Sequence, residues 1–276
     1  MLGCGQGSFQ VRGHQLGHAL GARVLSRTPE PADLAWADVV VLIKRTDPSW
    51  ADLAYQDGKP VVWDALDFWQ QPEHNILLES QAVALLKERA ATIGPHLCIG
   101  ATESMAKALG GAYLPHHARP GLKPTKVRDQ VWTVAYEGTK KYLGCWATAL
   151  EQACADRGWR FAINPVDLRI ADIVVAFRDG KWDGWMCREW KSGVKIVNAM
   201  AIGRPIISQP SAAMRELQPD GSVIDRIEDL GDALDLWASK KARLHVAEEH
   251  EARVQVFSQS AVAEQYRRIL QGVVDG

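Results

Sequence analysis

Short apolar runs alternate with amphipathic segments through most of the chain. In the first part, apolar runs predict strands at residues 39–44, 60–64 and 97–99, and a shorter one at 23–26. Apolar positions at helical spacing lie between these runs and predict helices over residues 11–20, 49–56, 82–91 and 104–109. Strands that alternate with helices favour a parallel sheet with helices on both of its faces.

The alternation stops at residues 115–124, PHHARPGLKP, which we interpret as a linker because they hold three prolines and a glycine. It then restarts, with strands predicted at 130–136, 159–163, 171–176 and 221–224, a helix at 141–157, and helical sequence over 230–274. We therefore expect an α/β protein with two Rossmann-like, doubly wound domains that face a central crevice. The predicted units are residues 1–118, residues 129–255, and a C-terminal helix at 256–276 that packs back on the first domain.

Residues 191–208, KSGVKIVNAMAIGRPIIS, predict a glycine turn, one amphipathic helix and a buried strand. Free N–H groups at the start of such a helix, near Ser192 and Gly193, favour an anion. Lys191 and Lys195 would add positive charge beside a diphosphate, and Asn198, one turn further, could hydrogen-bond a ribose hydroxyl. An ordinary strand–helix unit with solvated lysines explains the same pattern, so both interpretations stay open.

Composition narrows the class of protein. The 276 residues are 47% hydrophobic and carry a net charge of −1, which gives no global attraction for a polyanion. Five cysteines are scattered without a C-x-x-C pair, so neither a disulfide framework nor a zinc site is expected, and a reducing cytoplasm fits best. No run of 18 apolar residues occurs, and a membrane partner is not expected.

Candidate catalytic groups lie in the first half. His14 has the side chain best suited to take a proton near neutral pH, and Asp64 and Asp67 follow a predicted strand, where carboxylates face the crevice. Each aspartate could instead cap the next helix. His14 and His18 are four residues apart, as metal ligands can be, but a surface pair is commoner and we predict no metal site.

Two basic stretches border the predicted crevice. Residues 178–191 interleave cations with tryptophans, and residues 118–128 are basic without any acidic residue. The first is either a long loop held by its tryptophans or a surface that stacks bases beside phosphate-binding charges. The residues predicted to contact nucleic acid are Arg119, Lys123, Lys126, Lys181, Trp182 and Trp185.

Several segments resemble the GT-B glycosyltransferases. KSGVKIVNAMAIGRPII is similar to their donor-binding segment, which typically ends in E-A-M-A-x-G-x-P-V-I. GSFQVRGHQLGHALG, residues 7–21, resembles their N-terminal Gly-rich loop and first helix. Tyr136-Glu137-Gly138 resembles the first strand and turn of their C-terminal domain, and residues 171–175 the strand before the donor loop. The resemblance covers most of the chain in order.

The resemblance implies an enzyme that moves a sugar from a nucleotide-diphosphate sugar, such as UDP-glucose, to a hydroxyl, without a metal or other cofactor. The compact build of this chain resembles that of small GT-B enzymes that glycosylate hydroxymethylated bases of phage DNA. This resemblance implies DNA as the acceptor. The implied donor-binding residues are Glu137, Gly138, Arg188, Lys191, Ser192, Gly193, Lys195 and Asn198. The acceptor-side residues are Gly7, Ser8, Arg12, His116 and His117, and the candidate bases are His14, Asp64 and Asp67.

The sequence departs from that pattern at two positions. Asn198 stands where many retaining members have a glutamate, and Trp190 stands where its partner glutamate would fall. These departures leave the stereochemical course of the transfer open. Two other functions stay open as well: a nucleotide-sugar epimerase or hydrolase of the same architecture, and a non-catalytic module that binds a nucleotide or nucleic acid.

Overall fold

A computed structural model describes residues 1–3, 7–67 and 77–276 of the protein. Over these ranges the chain forms two separate parallel sheets, with four strands in the first half and five in the second. The predicted α/β class with two Rossmann-like units is confirmed.

The first sheet has the order β1-β2-β3-β4, and all of its strands are parallel. Its strands are β1 (Val40–Ile43), β2 (Val61–Leu66), β3 (Leu97–Gly100) and β4 (Ala112–Tyr113). The helices of this half are a π-helical segment Gln10–Leu16 that runs into α1 (Gly17–Leu20), then α2 (Pro31–Trp36), α3 (Ser49–Gln56), α4 (Glu79–Ile93) and α5 (Glu103–Leu109).

The strands with long apolar runs form as predicted. Every residue of β1 and β2 is buried, because helices cover both faces of a parallel sheet. The strand predicted at residues 23–26 is wrong, since only Leu25 pairs, through a single parallel bridge to Leu2. Leu2 also bridges to Leu42 and so lies between Leu25 and β1.

The second sheet has the order β6-β5-β7-β8-β9 and is also parallel. Its strands are β5 (Thr133–Tyr136), β6 (Arg160–Ile163), β7 (Ile173–Ala176), β8 (Ile206–Ser208) and β9 (Gly221–Val223). The helices of this half are α6 (Cys145–Ala155), α7 (Trp185–Trp190), α8 (Val194–Ala201), α9 (Ala212–Leu217), α10 (Leu230–Ala238), α11 (Lys240–Arg253) and α12 (Gln259–Val274).

The last helix packs on the first half of the molecule. Val262 and Tyr266 of α12 are fully buried in one apolar cluster with Leu16 and Val41. Residues 114–132, between the two sheets, contain no helix or strand. The exact domain bounds stay a prediction. Among the described residues, no helix is long and apolar enough to cross a membrane.

Helix α7 carries a second contact between the halves. One of the two interpretations of residues 178–191 is a long loop held by its tryptophans, but this stretch holds α7 and a short 3-10 turn, Gly180–Trp182. Met186 and Trp190 of α7 are buried in the apolar cluster of the first half, together with Trp63. This packing places the segment after α7 against the first sheet.

Candidate donor site at the crevice

The candidate site is built around the start of α8. Gly193 precedes the first helical residue, and a Cβ there would overlap the side chain of Leu217 in α9. A side chain at residue 193 would therefore have to displace Leu217. Val197 and Met200 are fully buried on the inner side of α8, so the helix is fixed and its first N–H groups face the pocket beside Ser192. The predicted turn, helix and strand are confirmed.

Four cations of the described residues line this pocket, namely Arg178, Arg188, Lys191 and Lys195. Lys195 Nζ lies 5.1 Å from the centre of the Tyr136 ring. Burial lowers the pKa of Lys195 to about 7, and the charges of Arg178 and Lys191 act in the same direction. Because like charges converge at the positive end of a helix, the arrangement favours a ligand with more than one negative charge.

Lys195 differs from the other cations of the pocket. No carboxylate of the described residues lies within ion-pair distance of its ammonium group, which instead packs on Tyr136. Arg188 also lines the pocket, but its guanidinium is 2.7 Å from Asp183 and 2.8 Å from Asp225. These two carboxylates already neutralise Arg188, so the prediction that it binds the donor is not supported.

Asp67 is held between two lysines rather than poised to take a proton. Its Oδ1 is 2.6 Å from Lys44 Nζ, and its Oδ2 accepts from Lys191 Nζ. Burial alone would raise the pKa of Asp67, but Lys191 and Lys44 hold it well below its usual range. A carboxylate with so low a pKa is a weak base, which disfavours Asp67 as the catalytic base, and that role stays a prediction.

Asp64 is fully buried in the first half. The Tyr266 hydroxyl donates a hydrogen bond of 3.0 Å to it, and Arg12 Nε lies 3.6 Å away. Burial raises the pKa of Asp64. The side chain of Arg12 is equally buried and also donates to the carbonyl oxygen of Leu114. Neither side chain reaches solvent, which disfavours Asp64 as a base and Arg12 as an acceptor contact, and both roles stay predictions.

The histidines lie in different surroundings. His14 is half-buried, with its ring edge-on to Phe9 at a centroid distance of 4.9 Å. His116 and His117 are buried, and burial lowers the pKa of both. The Nδ1 atom of His117 is 2.7 Å from the carbonyl oxygen of Ala118. Neither His116 nor His117 is a solvated linker residue. Within the described ranges, no group of three or more His, Cys, Asp or Glu is arranged to hold a metal.

Asn198 ties three segments together at a second pocket of the crevice. Its Nδ2 donates to Glu137 at 2.9 Å, and its Oδ1 accepts from the backbone N–H of Arg119 at 2.8 Å. The guanidinium of Arg119 is 3.4 Å from Glu137. Both ends of the Asn198 amide are therefore engaged within the protein, and its contact with a ribose stays a prediction. The pocket is lined by Gly7, Gln10, Val11, Gln15, His117, Arg119, Val194 and Asn198.

The aromatic part of the predicted stacking surface for nucleic acid is partly buried, and that surface stays a prediction. Trp182 and Trp185 pack against the apolar cluster of the first half, and Trp185 lies edge-on to Trp190 at 5.1 Å. Lys123 and Lys126 are exposed, whereas Arg119 is paired with Glu137. Lys181 is also exposed and lies over the Trp182 ring.

Sequence reasoning missed two residues of the site. Arg178, which follows β7, was treated only as part of a basic stretch, although the carboxyl end of a strand is where ligands of open α/β sheets bind. Lys44 was treated as the end of a strand, although a lysine that closes the run VVVLIK is a signal of the same kind. The remaining predicted residues, Ser8 and Gly138, lie beside Lys44 and Tyr136 respectively.

The fold is that of the GT-B glycosyltransferases. Similar solved structures include Anabaena HepE in complex with UDP and glucose, at 13% identity and a TM-score of 0.60 over 96% of this chain and 83% of that chain. AviGT4, a glycosyltransferase involved in avilamycin A biosynthesis, is 14% identical with a TM-score of 0.53, over 99% and 91% of the two chains. A chain of the GtfA/B complex is 12% identical with a TM-score of 0.59.

The match to the GtfA/B complex covers 87% of this chain but 58% of that chain, so the present chain spans less than two thirds of its length. No protein-family profile matches the sequence. No curated protein matches it either. The prediction of the GT-B fold is confirmed, and none of these three similar structures bears on the predicted phage DNA-modifying type.

Proposed function

We propose that the protein is a glycosyltransferase that moves a sugar from a nucleotide-diphosphate sugar to a hydroxyl group. The observation that carries this proposal is the convergence of Arg178, Lys191 and Lys195 at the start of α8, beside the crevice of a GT-B fold. A diphosphate is the part of such a donor that needs several cations and free N–H groups at one place.

In the proposed reaction the bond between the sugar carbon and the diphosphate oxygen breaks, and the acceptor oxygen bonds to that carbon. The electron pair of the broken bond stays on the diphosphate. Lys191, Lys195 and the N–H groups of α8 stabilise that developing charge, which is where electrostatic catalysis acts. Among the three predicted bases, His14 alone is not fully buried or ion-paired, and it stays the predicted acceptor of the hydroxyl proton.

The proposed nucleotide is UDP, because the similar structure of HepE holds UDP and glucose. Three side-chain cations can offset a diphosphate without a metal ion, which supports a metal-independent reaction. A hydroxymethylated DNA base stays a predicted acceptor, supported by the exposed Lys123 and Lys126, whereas the partly buried Trp182 and Trp185 do not support it.

The test is to incubate the protein with UDP-glucose, in the presence of EDTA, and to follow UDP release and product mass. Separate reactions contain a sugar, a peptide, hydroxymethylated duplex DNA or no acceptor. The proposal expects a mass increase of one hexose on one acceptor. UDP release at the same rate without acceptor would instead favour a hydrolase, and saturable UDP binding without turnover of any donor would favour a binding module.

A further inference from the structure

A chain of polar contacts crosses the crevice between the two halves. Lys44 Nζ, at the end of β1, is 3.3 Å from the Ser8 hydroxyl and 2.6 Å from Asp67 Oδ1. The other carboxylate oxygen of Asp67 accepts from Lys191 Nζ and lies 3.5 Å from the Ser192 hydroxyl. Lys191 and Ser192 line the pocket at the start of α8, so Asp67 joins that pocket to the first sheet.

The backbone around Asp67 and Lys44 is in an uncommon conformation. Lys44 has a φ of 56°, and Leu66, directly before Asp67, also has a φ of 56°. Residues other than glycine rarely adopt this left-handed conformation, and they keep it only where the surrounding contacts demand it. Both residues lie at the carboxyl ends of neighbouring strands, with Lys44 directly after β1 and Leu66 at the end of β2. Each unusual conformation places a charged side chain, Lys44 or Asp67, at the crevice.

The charges of this group are unequal. Asp67 is 2% exposed and stands between two ammonium groups, so the three side chains together keep one net positive charge. Removing the carboxylate would leave two buried or half-buried cations with no counter-ion between them. Lys191 would then move away or lose its proton, and either change would weaken its interaction with an anion.

We infer that Asp67 and Lys44 are positioning residues, which hold Lys191 and Ser192 in place for the donor diphosphate from the opposite side of the crevice. Lys44 fixes the carboxylate, and the carboxylate fixes the ammonium group that meets the ligand. The inference rests on the proposed donor site, but it assigns part of that site to the first half of the molecule. Neither residue touches the ligand itself.

Calorimetric titration with UDP tests the inference, with each variant first checked for its melting temperature. Asp67→Asn should weaken UDP binding by about tenfold or more, because Lys191 loses the carboxylate that holds it. Lys44→Met should weaken binding less, and Lys44→Arg, which keeps the charge, should bind UDP as the unmodified protein does. A purely structural role would lower the melting temperatures without this difference in UDP affinity between Lys44→Met and Lys44→Arg.

The double variant Lys44→Met with Asp67→Asn separates charge from geometry. It has the same net charge as the unmodified protein at this group but has lost the carboxylate that holds Lys191. The inference expects binding as weak as that of Asp67→Asn. Wild-type affinity in the double variant would show that only net charge matters and would overturn the inference.

Other outcomes are equally decisive. Should Asp67→Asn fail to fold, the comparison of Lys44→Met with Lys44→Arg decides, since equal affinity in both would refute the positioning role. If the unmodified protein binds UDP and all variants bind it equally, the inference fails while the proposed function stands. If the unmodified protein does not bind UDP, both fail together.

Discussion

The two halves of the molecule place charged side chains near the ends of their strands in different ways. In the first half, Arg12, Asp64 and Tyr266 contact one another inside the protein, and both charged side chains are fully buried. In the second half, Arg178, Lys191 and Lys195 line an open pocket, and Lys195 has no carboxylate partner among the described residues. The charged side chains of the first group face each other inside the protein, whereas the second group carries an excess of positive charge at its pocket.

The difference distinguishes a charged side chain that stabilises the fold from one that is available to bind a ligand. A carboxylate such as Asp64, which is fully buried and contacts only side chains inside the protein, contributes to stability and is out of reach of a ligand. A cation such as Lys195, half-buried beside other cations, is unfavourable until an anion arrives. Substitutions in the first group should therefore change stability, and substitutions in the second should change binding.

The largest effect is expected for Arg12→Met. It would leave the buried Asp64 without its cation, and breaking a buried pair on one side costs about 3–5 kcal/mol of unfolding free energy. Urea denaturation measures this loss, with Gln10→Met, an exposed position on the same helical segment, as the control. A folded Arg12→Met protein should bind UDP within about twofold of the unmodified protein. Weakened UDP binding without a loss of stability would place Arg12 in the binding site.

The second prediction concerns Lys191→Ala combined with Lys195→Ala. Removing both cations should weaken UDP binding by about 100-fold, because each makes a charge-assisted contact with the diphosphate. The control is Lys123→Ala with Lys126→Ala, which removes the same net charge from exposed positions. Calorimetry should show little change for the control. Equal losses in both double variants would mean that only overall charge steers the ligand.

The third prediction tests the buried group of Arg12, Asp64 and Tyr266 by a smaller change. Tyr266→Phe removes the hydroxyl that donates to Asp64 and leaves the ring in the core. A lost hydrogen bond to a buried charged group should lower the unfolding free energy by about 1–3 kcal/mol. Thermal unfolding measures it, and the UDP titration should be unchanged. No change in melting temperature would show that the contact between Tyr266 and Asp64 is not stabilising.

The smallest expected effect is a pH dependence of binding. Because the pKa of Lys195 is lowered to about 7, this lysine is charged below that pH and neutral above it. UDP affinity should therefore fall by a few-fold as the pH rises from about 6.5 to 8.5. Lys195→Arg keeps its charge over this range and should flatten the curve. The same decline in the arginine variant would assign the titration to another group.

The sequence predicts much of this fold but only part of the site. Strands β1 and β2 and helix α3 follow from local periodicity, because buried apolar runs and helical spacing are properties of neighbouring residues. Helix α7 was missed because its six residues are held by packing against the other half.

The roles of Asp64 and Asp67 also depend on distant residues. The two lie three positions apart after the same apolar run, and nothing local distinguishes them. Tyr266, which contacts one, is 202 residues away, and Lys191, which contacts the other, is 124 residues away. The role of each carboxylate depends on its burial and on a partner that is distant in sequence. Local periodicity carries no information about either.

The central claim is that the second half recognises a nucleotide through its diphosphate. It is tested most directly by calorimetric titration of the unmodified protein with UDP and, in parallel, with uridine, which has the same base and ribose but no phosphate. The account predicts saturable binding of UDP, at least about 100-fold tighter than that of uridine. Equal affinities for the two, or no binding of UDP, would contradict it.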